Sequence, residues 1–246
     1  MKGDDVFMSK KTHIFKRPPK GSTPVRVIPK FLDENASTRE GHQTPTYIVI
    51  HEVSLGTGRS PKTYNMEHYE RKLKESAERG STIGYHYLVG DKEVWQFLED
   101  DVATSHTGTD FGNENSIGIE RLICEGVNYE HAIHNQAKLV ATLMLKHNIP
   151  IENVITHKEM QRRYGDEEQQ ENPKQCPGRL LAGFRGTMQD FNHEIKRCLM
   201  HGWLFEELLD EKTIAEIPKI KEIAKQRFTP KKEKAVRIQG LHDFER

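Results

Sequence analysis

Two histidines and a cysteine stand at the ends of segments that otherwise read as core. His51 follows the β-branched run Tyr47-Ile48-Val49-Ile50, His157 follows Val154-Ile155-Thr156, and Cys176 precedes Pro177-Gly178 and a helix-forming stretch. Two imidazoles and a thiolate are a three-donor set that zinc accepts while keeping its fourth position open to water. An ion so held lowers the pKa of that water from about 15.7 to about 7, which is what a hydrolase needs. Taken singly, the residues have plainer readings. The chain has 13 His, some of which fall at strand ends by chance. A Cys before Pro is most often a small buried hydrophobe.

The elements that must position these residues follow from periodicity. Residues 46–51 read as a buried strand, 56–62 as a loop, and Tyr64 to Arg79 as an amphipathic helix stopped by Gly80. The segment GYHYLVGDKEVWQFLE places Gly90-Asp91-Lys92 between two aromatic-rich runs, a hairpin signal. Ser116 to Glu120 is a further strand. Tyr129 to His147 has helical spacing, ended by Asn148-Ile149-Pro150. Residues 153–156 form a strand leading into His157, 158–175 a charged loop, and a second helix runs from 177 or 178 to Met200. Interleaved strands and helices predict an α/β fold: a single domain with a mixed central β-sheet flanked by helices, with N- and C-terminal extensions. The expected division is an arm over 1–43, with a short strand at 25–28, a catalytic domain over 44–200, and a helical or disordered extension over 201–246.

Bulk composition narrows the function. Lys+Arg and Asp+Glu are both 37, for a formal net charge of +0. No global basic field calls for nucleic acid, although the stretch from Thr229 to Lys234 is locally basic. No run approaches the ~18 apolar residues of a membrane span, so no membrane insertion is expected. The first 21 residues contain no apolar segment of a secretory signal, which leads to the expectation of a cytoplasmic protein. Three cysteines, Cys124, Cys176 and Cys198, are too few and too scattered for a disulfide framework. Cys124 and Cys198 read as packing residues.

The ordered set IVIHEVS, GYHYLV, HTG…NENSIGIE, ITH and PKQCPG resembles the zinc-dependent N-acetylmuramoyl-L-alanine amidases, which include amidase-type phage lysozymes, endolysins and peptidoglycan recognition proteins. The resemblance covers roughly residues 45–198. It implies that His51, His157 and Cys176 hold zinc. It implies that Lys174, two residues before Cys176, stabilises the oxyanion formed on the attacked amide. Tyr85 matches a tyrosine facing the metal, and Glu120 a glutamate that orients or deprotonates the water. A Glu on an apolar strand is costly unless paired, which favours a functional role independently. His106 resembles a substrate-groove histidine. His86 adjoins Tyr85 but points to the opposite face of a regular strand, so it is left out of the site. His157 and Cys176 are 19 positions apart, longer than in compact relatives, and Asp166 or a neighbouring Glu in that insertion is an alternative ligand.

The resemblance implies hydrolysis of the bond between N-acetylmuramic acid and L-alanine in peptidoglycan or muropeptides, with a groove lined by loops 54–62 and 104–115. With no secretory signal, this suits a phage or prophage endolysin released through a holin pore, or a cytoplasmic muropeptide-recycling amidase. A non-catalytic peptidoglycan-binding module is the reading from a different class. The sequence does not give the oligomeric state.

Overall fold

In a computed structural model, which describes residues 24–53 and 65–229, the apolar segments gather into a six-stranded sheet with helices on both faces. The strands are β1 (Val27–Pro29), β2 (Gly41–His42), β3 (Tyr47–Val53), β4 (Tyr87–Val89), β5 (Val94–Gln96), β6 (Val102–Ala103), β7 (Ser116–Leu122) and β8 (Val154–Thr156). The main sheet runs β1-β5-β4-β7-β3-β8, and β2 pairs with β6 separately. Strands β4, β7, β3 and β8 are mutually parallel, whereas β5 is antiparallel to β4 as the hairpin at Gly90 requires. The predicted mixed α/β sheet is therefore the one observed.

The helices are α1 (Met66–Glu78), α2 (Asp110–Asn115), α3 (Tyr129–His147), α4 (His157–Tyr164), α5 (Glu167–Glu171), α6 (Gly178–Leu181), α7 (Met188–His201) and α8 (Glu211–Phe228). Helix α3 begins where the Asn128 side chain accepts from the amides of Glu130 and His131. It ends at Asn148, whose left-handed φ of 53° closes the C-terminus. Ile48 and Ile50 of β3 join α3, α7, Leu204, Phe205 and Ala224 in the larger core cluster. Leu88, Trp95 and Leu122 pack with Met66, Tyr69 and Leu73 of α1 in the second.

Two expectations differ from the structure. Residues 158–175 are not a loop: Thr156 and Asp166 cap α4 and α5, the second with a capping box. The helix expected from 177 or 178 to 200 is broken, because Gly183, Arg185 and Gly186 all adopt positive φ between α6 and α7. Past residue 200, where a helical or disordered extension is expected, α8 lies against α7. At the other end, β1 pairs in parallel with β5, so residues 27–29 belong to the sheet. The expected loop 54–62, the first 23 residues and the tail from 230 lie outside the described residues.

Alternation along β3 sends its two consecutive polar residues apart. Glu52 faces α3 and meets Arg121, whose side chain is completely buried. Tyr129 donates its hydroxyl to Glu52 Oε1 (3.2 Å), the Arg179 amide donates to Oε2 (2.8 Å), and Arg121 donates to Gln136 Oε1 (2.5 Å). Removing one member of such a pair leaves an uncompensated buried charge. Glu52→Ala is expected to cost about 3–5 kcal/mol, read as a lower urea midpoint. A loss under about 1 kcal/mol would mean that Arg121 finds another partner.

Candidate metal centre

Residue 51 lies one position before Glu52 and therefore faces the opposite side of the sheet, together with Val49. Its neighbours on both sides are parallel strands, so three carboxyl ends come together there. The β3–β7 register places Glu120 directly across from His51. On the other side, β8 ends at Thr156, which caps α4, and His157 is the first residue of that helix. Cys176 reaches the same point from the α5–α6 connection. Its carbonyl accepts from the Lys158 amide at 3.1 Å, and its own amide donates to the Lys174 carbonyl at 2.8 Å.

The donor atoms of His51, His157 and Cys176 all lie within 4.8 Å of one another. His51 Nδ1 is 3.2 Å from His157 Nδ1 and 3.8 Å from Cys176 Sγ. The three residues are 2%, 4% and 8% exposed. Burial, and then the charges of His157, His106 and Lys174, hold the His51 pKa well below the ordinary histidine range. Burial and Lys174 bring His157 down to about 4. Burial pushes the Cys176 thiol up to about 12. The site thus presents two neutral imidazoles and a thiol that ionises only against a cation. Such a set can hold a metal ion. Asp166 is instead occupied in capping α5.

Around this cluster stand further polar groups. Glu120 Oε1 is 4.0 Å from His51 Nδ1, and Oε2 is buried with no hydrogen-bond partner among the described residues. Burial raises its pKa to about 8, against the opposing pull of Lys174. The Tyr85 hydroxyl is likewise buried and unpartnered. Burial, and then the Glu120 charge, push its pKa well above the usual range for phenols. Lys174 is exposed, yet its charge reaches His51, His157, Glu120 and Cys176. His106, expected in the substrate groove, is half-buried with Nδ1 3.0 Å from His51 Nε2. His86, expected to face away, has its ring 5.9 Å from that of His106. The backbone bends at His86, just before β4 begins, so strict alternation does not apply there.

Gln161 is a further residue of the site. It lies one turn after His157 on α4, donates Nε2 to the Thr107 carbonyl (3.0 Å), and accepts the Lys174 amide (2.8 Å) on Oε1. It ties the Lys174–Cys176 segment to the loop carrying His106. The i, i+4 spacing from His157 is the one sequence signal that could have found it.

A second group, His134, Glu194 and Cys198, also has its donor atoms within 4.8 Å. Its chemistry differs. His134 Nδ1 is 2.7 Å from Glu194 Oε1, and Arg197 donates to Oε2 at 2.5 Å. That carboxylate is already engaged on both oxygens by side chains of the protein, and a guanidinium beside it opposes a second cation.

The profile of the N-acetylmuramoyl-L-alanine amidases matches residues 41–179, more than half of the chain and every residue of the first cluster. The chain belongs to that amidase family. The match includes His134 but stops short of Glu194 and Cys198. The chain is 32% identical over 162 residues to N-acetylmuramoyl-L-alanine amidase XlyA of Bacillus subtilis, covering 64% of this chain and 48% of that one. It spans about half the length of the curated relatives it matches. Among solved structures it resembles the catalytic domain of XlyA (29% identity, TM-score 0.56), with 70% of this chain and 99% of that one covered. A mutant endolysin from Bacillus subtilis is similar at 30% identity, TM-score 0.56 and the same coverage. Among the described residues, no helix is long and apolar enough to cross a membrane.

Proposed function

We propose that this chain hydrolyses the bond between N-acetylmuramic acid and L-alanine in peptidoglycan, using a zinc ion held by His51, His157 and Cys176, and that it serves as an endolysin. The observation that carries this reading is the convergence of two neutral imidazoles and a thiol within 4.8 Å. The donors fit zinc: nitrogen and sulfur in a three-residue set leave one position open. The orphaned Glu120 Oε2 and Tyr85 hydroxyl beside them are polar groups that a metal and substrate would satisfy.

Bound there, zinc supplies the Lewis acidity that polarises the amide carbonyl and lowers the pKa of water. The protein's own groups do the rest. Glu120 takes the proton of the attacking water and returns it to the departing amine, roles open to a buried carboxyl that faces His51 and has one oxygen without a protein partner. The Tyr85 hydroxyl donates a hydrogen bond to the reacting oxygen. Lys174, on the exposed rim, offsets the negative charge that develops on the carbonyl oxygen. His157 is held at the helix start by the Thr156 cap, so its aim does not depend on substrate.

Turbidity loss of purified cell walls, with release of L-alanine amino groups assayed in parallel, tests the proposal. The expected result is lysis with new amino termini and no new reducing sugars, abolished by chelation and restored by zinc. Zinc-loaded protein that binds walls and releases neither group would instead be a binding module. Cleavage confined to soluble muropeptides would point to recycling in place of lysis.

A further inference from the structure

We infer that His106 is a positioning residue for His51: it fixes the tautomer and direction of that imidazole, and does not serve chiefly as a substrate contact. The inference rests on the reading of His51 as a zinc ligand.

Hydrogen-bond polarity carries it. His106 Nε2 is 3.3 Å from the Ser116 carbonyl oxygen and 3.3 Å from Ser116 Oγ. The carbonyl can only accept, and the Ser116 hydroxyl already donates to the Gly112 carbonyl at 2.5 Å. His106 Nε2 must therefore carry the hydrogen. That makes His106 Nδ1 an acceptor, and its partner at 3.0 Å is His51 Nε2, which must donate. The remaining lone pair of His51 is then on Nδ1, the atom facing His157 Nδ1 and Cys176 Sγ. One backbone carbonyl thus dictates, through two imidazoles, which His51 nitrogen is free to bind an ion.

The surroundings hold the His106 ring in that place. Asn113 Oδ1 accepts from the amides of His106 (3.0 Å) and Thr107 (2.9 Å). Gly118 of β7 leaves room for the ring, since a Cβ there would stand 2.7 Å from His106 Nδ1. Gly118 does not have a positive φ, so close approach of the ring is its reason to be glycine. The same loop steadies the second histidine, because the Thr107 carbonyl holds Gln161 on the helix that His157 begins.

Two readouts test this, zinc affinity by chelator competition and the His51 tautomer by long-range proton–nitrogen NMR on chelator-treated protein. His106→Ala is expected to weaken zinc binding about 10- to 100-fold and to release the Nε2–H preference of His51. His106→Asn places an amide oxygen near the position of Nδ1, and is expected to keep zinc affinity within a few-fold of wild type. Gly118→Ala, which removes no polar group, is expected to weaken zinc binding about 10-fold by displacing the ring. It keeps the test informative if His106→Ala does not fold. Unchanged zinc affinity in His106→Ala with a raised KM for muropeptide would overturn the inference in favour of a substrate contact. So would a wild-type His51 carrying its hydrogen on Nδ1. Wild-type protein that binds no zinc but shows the Nε2–H form, lost in His106→Ala, would sink the zinc reading and leave the positioning role standing.

Discussion

Replacing Cys176 with alanine is expected to leave the purified protein without stoichiometric zinc and to reduce wall hydrolysis by about 10³-fold or more. The thiol is 8% exposed and sits 3.8 Å from His51 Nδ1, with its pKa pushed to about 12 by burial. In the absence of a cation it is a neutral, poorly solvated group. With a cation it becomes the one anionic donor of the set, so its loss removes both a ligand and the charge that offsets the ion. Cys176→Ala should therefore be folded, with a melting temperature near that of chelator-treated wild type, and insensitive to added zinc. Metal analysis alongside the lysis assay checks this. Full activity with no sulfur ligand would remove Cys176 from the metal site.

Glu120→Gln is expected to retain zinc and lose activity by about 10²- to 10⁴-fold, mainly in kcat, because the proton acceptor is gone while the shape is kept. The same variant carries a stability signature of opposite sign. The folded pKa of Glu120 is raised from the usual 4.5 to about 8 by burial. The native state therefore holds this proton more tightly than the unfolded chain, and stability falls as pH rises toward 8. The histidines His51, His106 and His157 have lowered pKa values and act below about pH 6.5, where the unfolded chain takes up protons and the native state does not. Between about pH 6.5 and pH 8 the Glu120 contribution stands largely alone. Chelator-treated wild type should lose melting temperature across that interval, and Glu120→Gln should hold it. Parallel melting curves for the two proteins would show that the Glu120 carboxyl stays ionised in the metal-free fold.

The parts of the site that depend on local signals were legible in the sequence. β-branched runs ending in His51 and His157, the hairpin at Gly90, and both ends of α3 are set by side-chain periodicity, turn residues and caps, all acting within a few positions. Parallel register then explains why Glu120 and His51 share a face, since seven residue pairs of β3 and β7 align without a slip. The charge density of the acidic insertion reads as a loop, whereas the reciprocal cap between Asp166 and Gln169 makes it a short helix.

From its residues alone the chain determined which side chains stand at strand ends, which faces they occupy, and the family whose motifs they follow. Tertiary structure decided which nitrogen of each histidine is aimed at its neighbours. His51 meets His106, His157 and Cys176 across 55, 106 and 125 positions of sequence. No local propensity encodes a hydrogen-bond direction over such separations. The order Ser116, His106, His51 is fixed only when the sheet brings a carbonyl, two imidazoles and the gap over Gly118 together. Composition and spacing specify the donors, and packing specifies the protons.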